Sequence, residues 1–524
     1  MSVRSGNKSM ISAGVEVEVR ARGGRRAGDG VGRGCAPPGG AGGRAAVAST
    51  GVSLRLHDTA TRGVQPLEPL RPGRVGVYVC GPTVQARPHV GHLRSAIALD
   101  VLHRWLLESG LEVLFVRNVT DVDDKIIHDA SHDDEPWWAL ATRMERAFTS
   151  AYDAVQVLPP MATPRVTGSI PSITALVERI VERGHAYESG GDVYLSVRTV
   201  EGYGALSGQD PEQLRASEKA VAHGHTGQKR DPLDFALWKA AKPGEPSWPS
   251  PWGPGRPGWH IECSAMAVDH LGEEFDVHAG GLDLVFPHHE NEVAQSRCAG
   301  HPFARHWLHH GLVTVAGGGG EKMSKSLGNS TTVEDVLLTV RPQVLRYALG
   351  AGHYRSPLEW SSQAVADAEA AYGRIETFVR NAGEAVDGVE PGEPAVAWED
   401  FAAALDDDLG VPQALAVVHS GVRAGNGLLA GRDLPALAAT LAVVRRMLRV
   451  LALDPVDQWP ETGGTQLTGV VDALVQIALE ARADARARKD WERADAVRDS
   501  LKASGIVLED TMVDGVPGVR WRLA

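Results

Sequence analysis

Long apolar runs are missing from this chain. No stretch of about 18 consecutive apolar residues occurs among its 524 residues, which excludes a helix built to span a bilayer. The N-terminus also lacks the apolar core of a secretory signal. Cysteine is scarce. The four present, Cys35, Cys80, Cys263 and Cys298, are scattered without the dense spacing of a disulfide scaffold, so a reducing, cytoplasmic setting is expected. Positive charge is not in excess. With 66 acidic residues against 53 Lys and Arg the net charge is −13, which excludes a blanket basic surface but leaves room for a local basic groove. The G-x-x-x-x-G-K-S/T loop is absent too, so any nucleotide must be held by another device.

The length exceeds what one hydrophobic core serves, so two to four domains are expected. Residues 1–50 are rich in Gly, Ala and Arg, including Arg20, Arg22, Arg25, Arg26, Arg33 and Arg44, with few bulky apolar side chains to offset the entropy of ordering. They read as a disordered tail; a basic arm for RNA is the alternative. From Val75 to Cys80 the run Val-Gly-Val-Tyr-Val-Cys predicts a buried strand. Gly91 to Ser109 predicts a helix that is apolar on most sides, and Leu111 to Val119 a second strand. That βαβ unit implies a parallel sheet whose ligands gather at the carboxyl ends of its strands. Cys80, the histidines that follow it, and Asp121-Val122-Asp123-Asp124-Lys125 fall at such ends.

The pattern loosens over about 150–255, which reads as an insertion into a catalytic domain spanning 51–355. Ala-rich helical periodicity over 356–455 predicts a helical bundle. After Asp454-Pro455 and the Pro460 to Gly464 break, a charged helix is expected over roughly 468–503, then a short β segment carrying Arg520-Trp521-Arg522. The expected class is α/β: a Rossmann-like parallel-sheet domain with an insertion, a helical bundle, and a small α+β domain over 466–524.

Two separated signatures carry the chemistry. In Pro88-His89-Val90-Gly91-His92 the imidazoles are spaced i, i+3 at a strand-to-helix turn, where free N–H groups and the helix dipole suit phosphates and Gly91 permits close approach. About two hundred residues later Lys322-Met323-Ser324-Lys325-Ser326 follows a run of four glycines; two compact cations there suit a triphosphate and a departing pyrophosphate. Either motif alone also reads as surface histidines or a solvated basic loop.

Together these motifs resemble the two signatures of class I aminoacyl-tRNA synthetases. The chain from about residue 52 to 524 is similar to the cysteinyl-tRNA synthetase family in particular. The residues that carry the resemblance are Tyr78-Val79-Cys80-Gly81-Pro82-Thr83, Val116-Arg117-Asn118-Val119-Thr120-Asp121, Gly255-Arg256-Pro257-Gly258-Trp259-His260-Ile261-Glu262-Cys263 and Phe286-Pro287-His288-His289-Glu290-Asn291-Glu292. The sequence departs from the family pattern at Ala279, where Gly is usual, and over Gln85-Ala86-Arg87-Pro88.

A single zinc ion fits the residues independently of the resemblance. Cys80 ends a strand, Cys263 follows the Trp259 turn, and His288 and Glu292 are i, i+4 on one helix face. His289, i, i+3 from Glu292, competes as ligand on spacing alone; the resemblance selects His288. A thiol-binding metal also accounts for rejection of serine at the binding step.

The resemblance implies ATP activation of L-cysteine with Mg²⁺, and transfer to tRNA(Cys) by a monomer. It gives His89, His92, Lys322 and Lys325 a catalytic role, and His89, Gly91, His92 and Lys325 contact with ATP. It places Thr83, Thr120, Trp259, His278 and Asp283 around the amino acid and adenylate, although Trp259 also reads as a core tryptophan. It makes 466–524 an anticodon-binding domain that uses Arg486, Trp491, Asp495 and Asp510. Trp491 packed inward on an amphipathic helix is the alternative there. Two rival functions remain open at this level: a related ligase joining cysteine to an amino sugar, and a zinc-stabilised RNA-binding protein.

Overall fold

The computed structural model describes residues 53–210, 212–213, 228–315, 331–459, 463–504, 506–513 and 516–523. The tail over 1–50 and both Lys322 and Lys325 lie outside the described residues. After a small hairpin of β1 (Arg55–Asp58) and β2 (Gly63–Pro66), the expected βαβ unit follows as β3 (Arg74–Val79), α1 (Val90–Glu108) and β4 (Glu112–Arg117), with β3 and β4 parallel. Val75, Val77, Tyr78 and Val79 are buried, because β3 is central and covered on both faces. α1 is likewise buried on most sides, and it takes Arg94 and Asp100 into the interior with it.

The chain then leaves the sheet through α2 (Asp124–His132), α3 (Trp137–Ala154) and α4 (Ile170–Glu182). An antiparallel sheet follows, ordered β5 (Ala186–Ser189), β6 (Asp192–Leu195), β7 (Phe235–Ala240), β8 (Gly255–Pro257). α5 (Trp259–Leu271) returns the chain to the first sheet, which is completed by β9 (Glu274–Gly281), α6 (Glu290–Ala299) and β10 (Phe303–His310). Its order is β10-β9-β3-β4, all parallel.

Next, β11 (Val313–Val315) pairs in parallel with β12 (Leu358–Trp360), and between them lie α7 (Val333–Leu337) and α8 (Pro342–Gly350). The bundle consists of α9 (Ser362–Ala385), α10 (Trp398–Asp406), α11 (Val411–Gly431) and α12 (Leu434–Val450). One apolar core runs from the sheet into this bundle, joining Val75, Val77 and Leu102 to Tyr372, Phe378, Leu415 and Val444.

The single charged helix expected over 468–503 is two helices, α13 (Gly463–Ala487) and α14 (Trp491–Ala503). The break has a local cause. Lys489 adopts a left-handed φ of 60°, and the Asp490 carboxylate accepts from the Arg493 N–H to start a new helix. An antiparallel pair, β13 (Ile506–Val513) and β14 (Val516–Leu523), closes the chain.

Candidate functional site at the strand ends

The carboxyl ends of β3, β4 and β9 converge with the start of α5 and the turn before α6. Cys80 follows β3. Gly81 comes so close to β4 that a Cβ there would lie 1.6 Å from the Asn118 carbonyl oxygen, and its N–H donates to Asn118 Oδ1 at 2.7 Å. Glycine is therefore required at 81. Cys263 lies one turn into α5 and is buried, with its Sγ 3.7 Å from the same Asn118 Oδ1.

The turn Val285–His289, which contains the cis Phe286–Pro287 bond, runs directly into α6. The helical spacing is kept across that junction: His288 Nε2 lies 3.1 Å from Glu292 Oε1, and Cys80 Sγ lies 3.3 Å from the same oxygen. The donor atoms of Cys80, Cys263, His288 and Glu292 all fall within 4.8 Å of one another. Cys80, His278, His289 and Glu292 form a second such group, sharing the thiol and the carboxylate.

The charge pattern fits a cation. Burial pushes the Cys80 thiol well up, and the groups acting on it next are Cys263 and Glu292, both acidic. Acids buried together need a positive partner, and a sulfur, sulfur, nitrogen, oxygen set at this spacing is one that a tetrahedral metal accepts. The imidazoles are in the right state for it. Burial, then repulsion from His278, pulls His288 down to about 3, so its ring is neutral at physiological pH, as a ligand must be. Its other nitrogen is 2.9 Å from His260 Nδ1. His289 turns Nδ1 to His309 Nε2 at 2.7 Å, and its Nε2 is 3.9 Å from Glu292 Oε1. Cys298, the remaining described cysteine, is buried outside both groups, its thiol pushed up to about 11 by burial.

Of the expected pocket residues, Trp259 is half-buried at the first position of α5, its ring 4.3 Å from that of His288, so it faces the cluster rather than the core. His278 is fully buried. Its Nε2 is 2.8 Å from Glu292 Oε2 and its ring stacks on Trp307 at 4.6 Å. Thr83 and Thr120 bridge each other across the ends of β3 and β4, and the Thr120 hydroxyl donates to Glu262 Oε2 at 2.9 Å. Asp283 is exposed just beyond β9. Ala279 packs in the core of β9, so the departure from glycine there is absorbed. At Gly280 a Cβ would sit 2.7 Å from the His289 ring, and at Gly281 2.5 Å from Asp283 Oδ1.

His89 is the N-cap of α1. Its Nδ1 accepts from the Gly91 N–H at 3.1 Å, while His92 Nδ1 accepts from the His89 N–H at 3.2 Å, and the two rings stack at 3.8 Å. With Nδ1 accepting, both rings carry the proton on Nε2, the form that donates to a phosphate oxygen. At the far end of the chain Arg486 is exposed on α13, Trp491 is 58% exposed at the first position of α14, and Asp495 pairs with Arg498 at 2.9 Å. Asp510 lies in β13 opposite Val519.

Sequence reasoning missed three contributors. His260 touches His288, His309 joins Thr59 to His289, and Glu262, whose carboxyl burial pushes well up, anchors Thr120. Glu262 and His260 stood in a motif already quoted, but nothing in their spacing marks the direction of a side chain.

Comparison with known proteins finds matches in succession along most of the chain. A family model described as the class I (C) tRNA synthetase catalytic domain matches residues 66–370, a DALR domain model matches 400–453, and a cysteinyl-tRNA ligase anticodon binding domain model matches 468–520. The cysteine–tRNA ligase of Streptomyces coelicolor is 53% identical over 479 residues, covering 90% of this chain and 76% of that protein. Those of Streptomyces avermitilis and Micrococcus luteus are each 52% identical, covering 90% of this chain and 99% and 100% of theirs. The fold is also similar to Mycobacterium tuberculosis methionyl-tRNA synthetase solved with methionyl-adenylate, with a TM-score of 0.54 at 18% identity over 72% of this chain and 90% of that one. Successive domain matches, relatives identical at about half of their positions, and a thiol-bearing cluster at the ends of a parallel sheet have one common explanation: this chain belongs to the cysteinyl-tRNA synthetase family of class I tRNA synthetases.

Proposed function

We propose that the residues of this chain divide the cysteine–tRNA ligase reaction as follows. Cys80, Cys263, His288 and Glu292 hold one zinc ion; this reading is supported by their convergence from three separate segments to within 4.8 Å. The set built on His288 is preferred to that built on His289 because it alone uses the second buried thiol. Bound there, zinc supplies a soft Lewis-acid contact that takes a substrate thiolate in preference to a hydroxyl. Trp259 walls the small substrate beside that position. Thr83, Thr120, His278 and Asp283 line the rest of the amino-acid and adenylate pocket, with Glu262 fixing the rotamer of Thr120.

His89 and His92 donate from Nε2 to the phosphates of Mg-ATP, and Gly91 lets them approach the helix N-terminus. Lys322 and Lys325 stabilise the pentavalent α-phosphate as the cysteine carboxylate attacks it and pyrophosphate departs. A ribose hydroxyl of the 3′-terminal adenosine of tRNA(Cys) then attacks the carbonyl of cysteinyl-adenylate, forming the ester and releasing AMP. Residues 51–355 perform this chemistry and 356–455 form the connecting bundle. The segment 466–524 reads the anticodon with Arg486, Trp491, Asp495 and Asp510, a reading supported by the exposure of Trp491 and the family match over 468–520. An amino-sugar ligase has no use for such a segment. We place the reaction in a cytoplasmic monomer; among the described residues no helix is long and apolar enough to cross a membrane.

The test is ATP–pyrophosphate exchange with cysteine, serine or no amino acid, beside charging of a tRNA(Cys) transcript. Cysteine-dependent exchange and charging, with serine at background, is expected. Exchange that ignores the thiol would overturn the zinc reading, and exchange without charging would overturn the tRNA reading.

A further inference from the structure

The acidic run Asp406-Asp407-Asp408, which ends α10 and leads to α11, has no role in the chemistry described above, yet it bonds the bundle to β1, to α1 and to the segment after α8. Asp408 is 4% exposed. Its Oδ1 accepts from the His57 N–H at 2.8 Å and from the Tyr354 hydroxyl at 2.6 Å, while Oδ2 accepts from Arg355 Nε at 2.7 Å and from the same guanidinium's Nη2. Its own N–H donates to the Arg55 carbonyl at 2.9 Å. Asp406 takes the indole N–H of Trp105, on α1, at 2.9 Å. To make these bonds the backbone turns left-handed at two successive non-glycine residues, Asp408 with φ 57° and Leu409 with φ 52°. Leucine rarely adopts that conformation, so the surrounding bonds hold the turn at a local cost.

What Asp408 grips is in turn gripped from the other side. Arg94 lies two residues beyond His92 on α1 and is almost fully buried; it donates to the carbonyls of Leu349 at 2.6 Å and His353 at 2.7 Å. The Gly311 N–H, just past β10, donates to the Tyr354 carbonyl at 2.8 Å. The segment 349–355 is therefore a brace with the bundle's carboxylate on one side and the phosphate-facing turn of α1 on the other. None of the bonds made by Cys80, Cys263, His288 or Glu292 that are given above passes through it.

We infer that Asp408 is a positioning residue for the ATP-binding turn of α1: through Tyr354, Arg355 and the carbonyls held by Arg94 it sets where His89 and His92 stand. Loosening the brace displaces the histidines from the phosphates and leaves the metal cluster in place. A misplacement of about 1 Å in a positioning group costs up to about a hundredfold.

The inference rests on the ligase reading. Wild-type exchange tests that reading by itself, and only the contrast between ATP and cysteine in the variants tests this one. Asp408→Asn should raise the KM for ATP in cysteine-dependent exchange about tenfold to a hundredfold, with the KM for cysteine and the metal content unchanged. Arg355→Met, which removes the exposed partner of that carboxylate, should reproduce the pattern, and Arg355→Lys, which keeps the charge, should recover much of it. Parallel loss of ATP and cysteine parameters in step with the folded fraction would overturn the inference, because a merely structural role moves both. So would a lowered melting temperature with both KM values unchanged.

Discussion

Replacing Cys263 by Ser removes one donor from the cluster while sparing the fold around it. The sulfur lies 3.7 Å from Asn118 Oδ1, and a hydroxyl in its place can donate to that same oxygen, which also receives the Gly81 N–H at 2.7 Å and so ties the ends of β3 and β4 together. The helix should therefore stay seated. A structural zinc site is worth about 10–16 kcal/mol over four ligands, or about 2.5–4 kcal/mol for each, so losing one thiolate should weaken metal binding roughly 10²- to 10³-fold. Cys80, His288 and Glu292 would remain as a three-donor set that a chelator can strip. The assay is metal content after dialysis against a chelator, together with exchange kinetics in cysteine and ATP separately. The expected outcome is metal loss and a KM for cysteine raised about a hundredfold or more, with the KM for ATP little changed. Stoichiometric metal and unaltered cysteine kinetics in a folded variant would refute the four-residue assignment.

Lys325→Ala should slow adenylate formation by roughly 10² to 10³ in single-turnover measurements while leaving metal content intact, the usual loss when one preorganised charge stabiliser is removed. Trp491→Ala should lower kcat/KM for tRNA about tenfold to a hundredfold with exchange unaffected, since a base stacked on an aromatic is worth about 1–3 kcal/mol and the ring is 58% exposed in the free chain. Thermal stability should fall as pH drops from about 6.5 to 5. Burial, with repulsion from His278, holds His309 at about 3; burial, opposed by a bond to the Gly311 carbonyl, holds His310 at about 4. The unfolded chain therefore takes up protons that the folded one refuses, and each ring costs up to about 1.4 kcal/mol per pH unit in that window. Melting temperatures by calorimetry that stay level between pH 7 and 5 would contradict this.

Much of the architecture could be read from residues alone, because it is local. The apolar run before Cys80 and the helix after His89 each report their own environment, and alternation between them implies a parallel sheet. The break at Lys489-Asp490 escaped notice for the opposite reason: a left-handed residue without glycine leaves little trace in composition, and the new cap is clear only once the turn is seen.

At the site, the order of residues already disclosed which chemistry was on offer: two histidines at a helix start, a lysine pair, and thiols with an imidazole and a carboxylate, in an order shared with one enzyme family. The need for glycine at 91 was legible there too, whereas the tighter approach of Gly81 to the Asn118 carbonyl emerged only from the fold. Which of these groups meet depends on packing. His288 and His289 are neighbours in sequence, yet one ring turns to His260 and the other to His309, because the turn over Val285–His289 sends successive side chains in different directions. The grip of Asp408 on Tyr354 and Arg355 was equally invisible, for it joins residues more than fifty positions apart whose contact depends on how the bundle packs against the sheet. Periodicity records a residue's exposure, but the partner of a buried polar group is set by the fold.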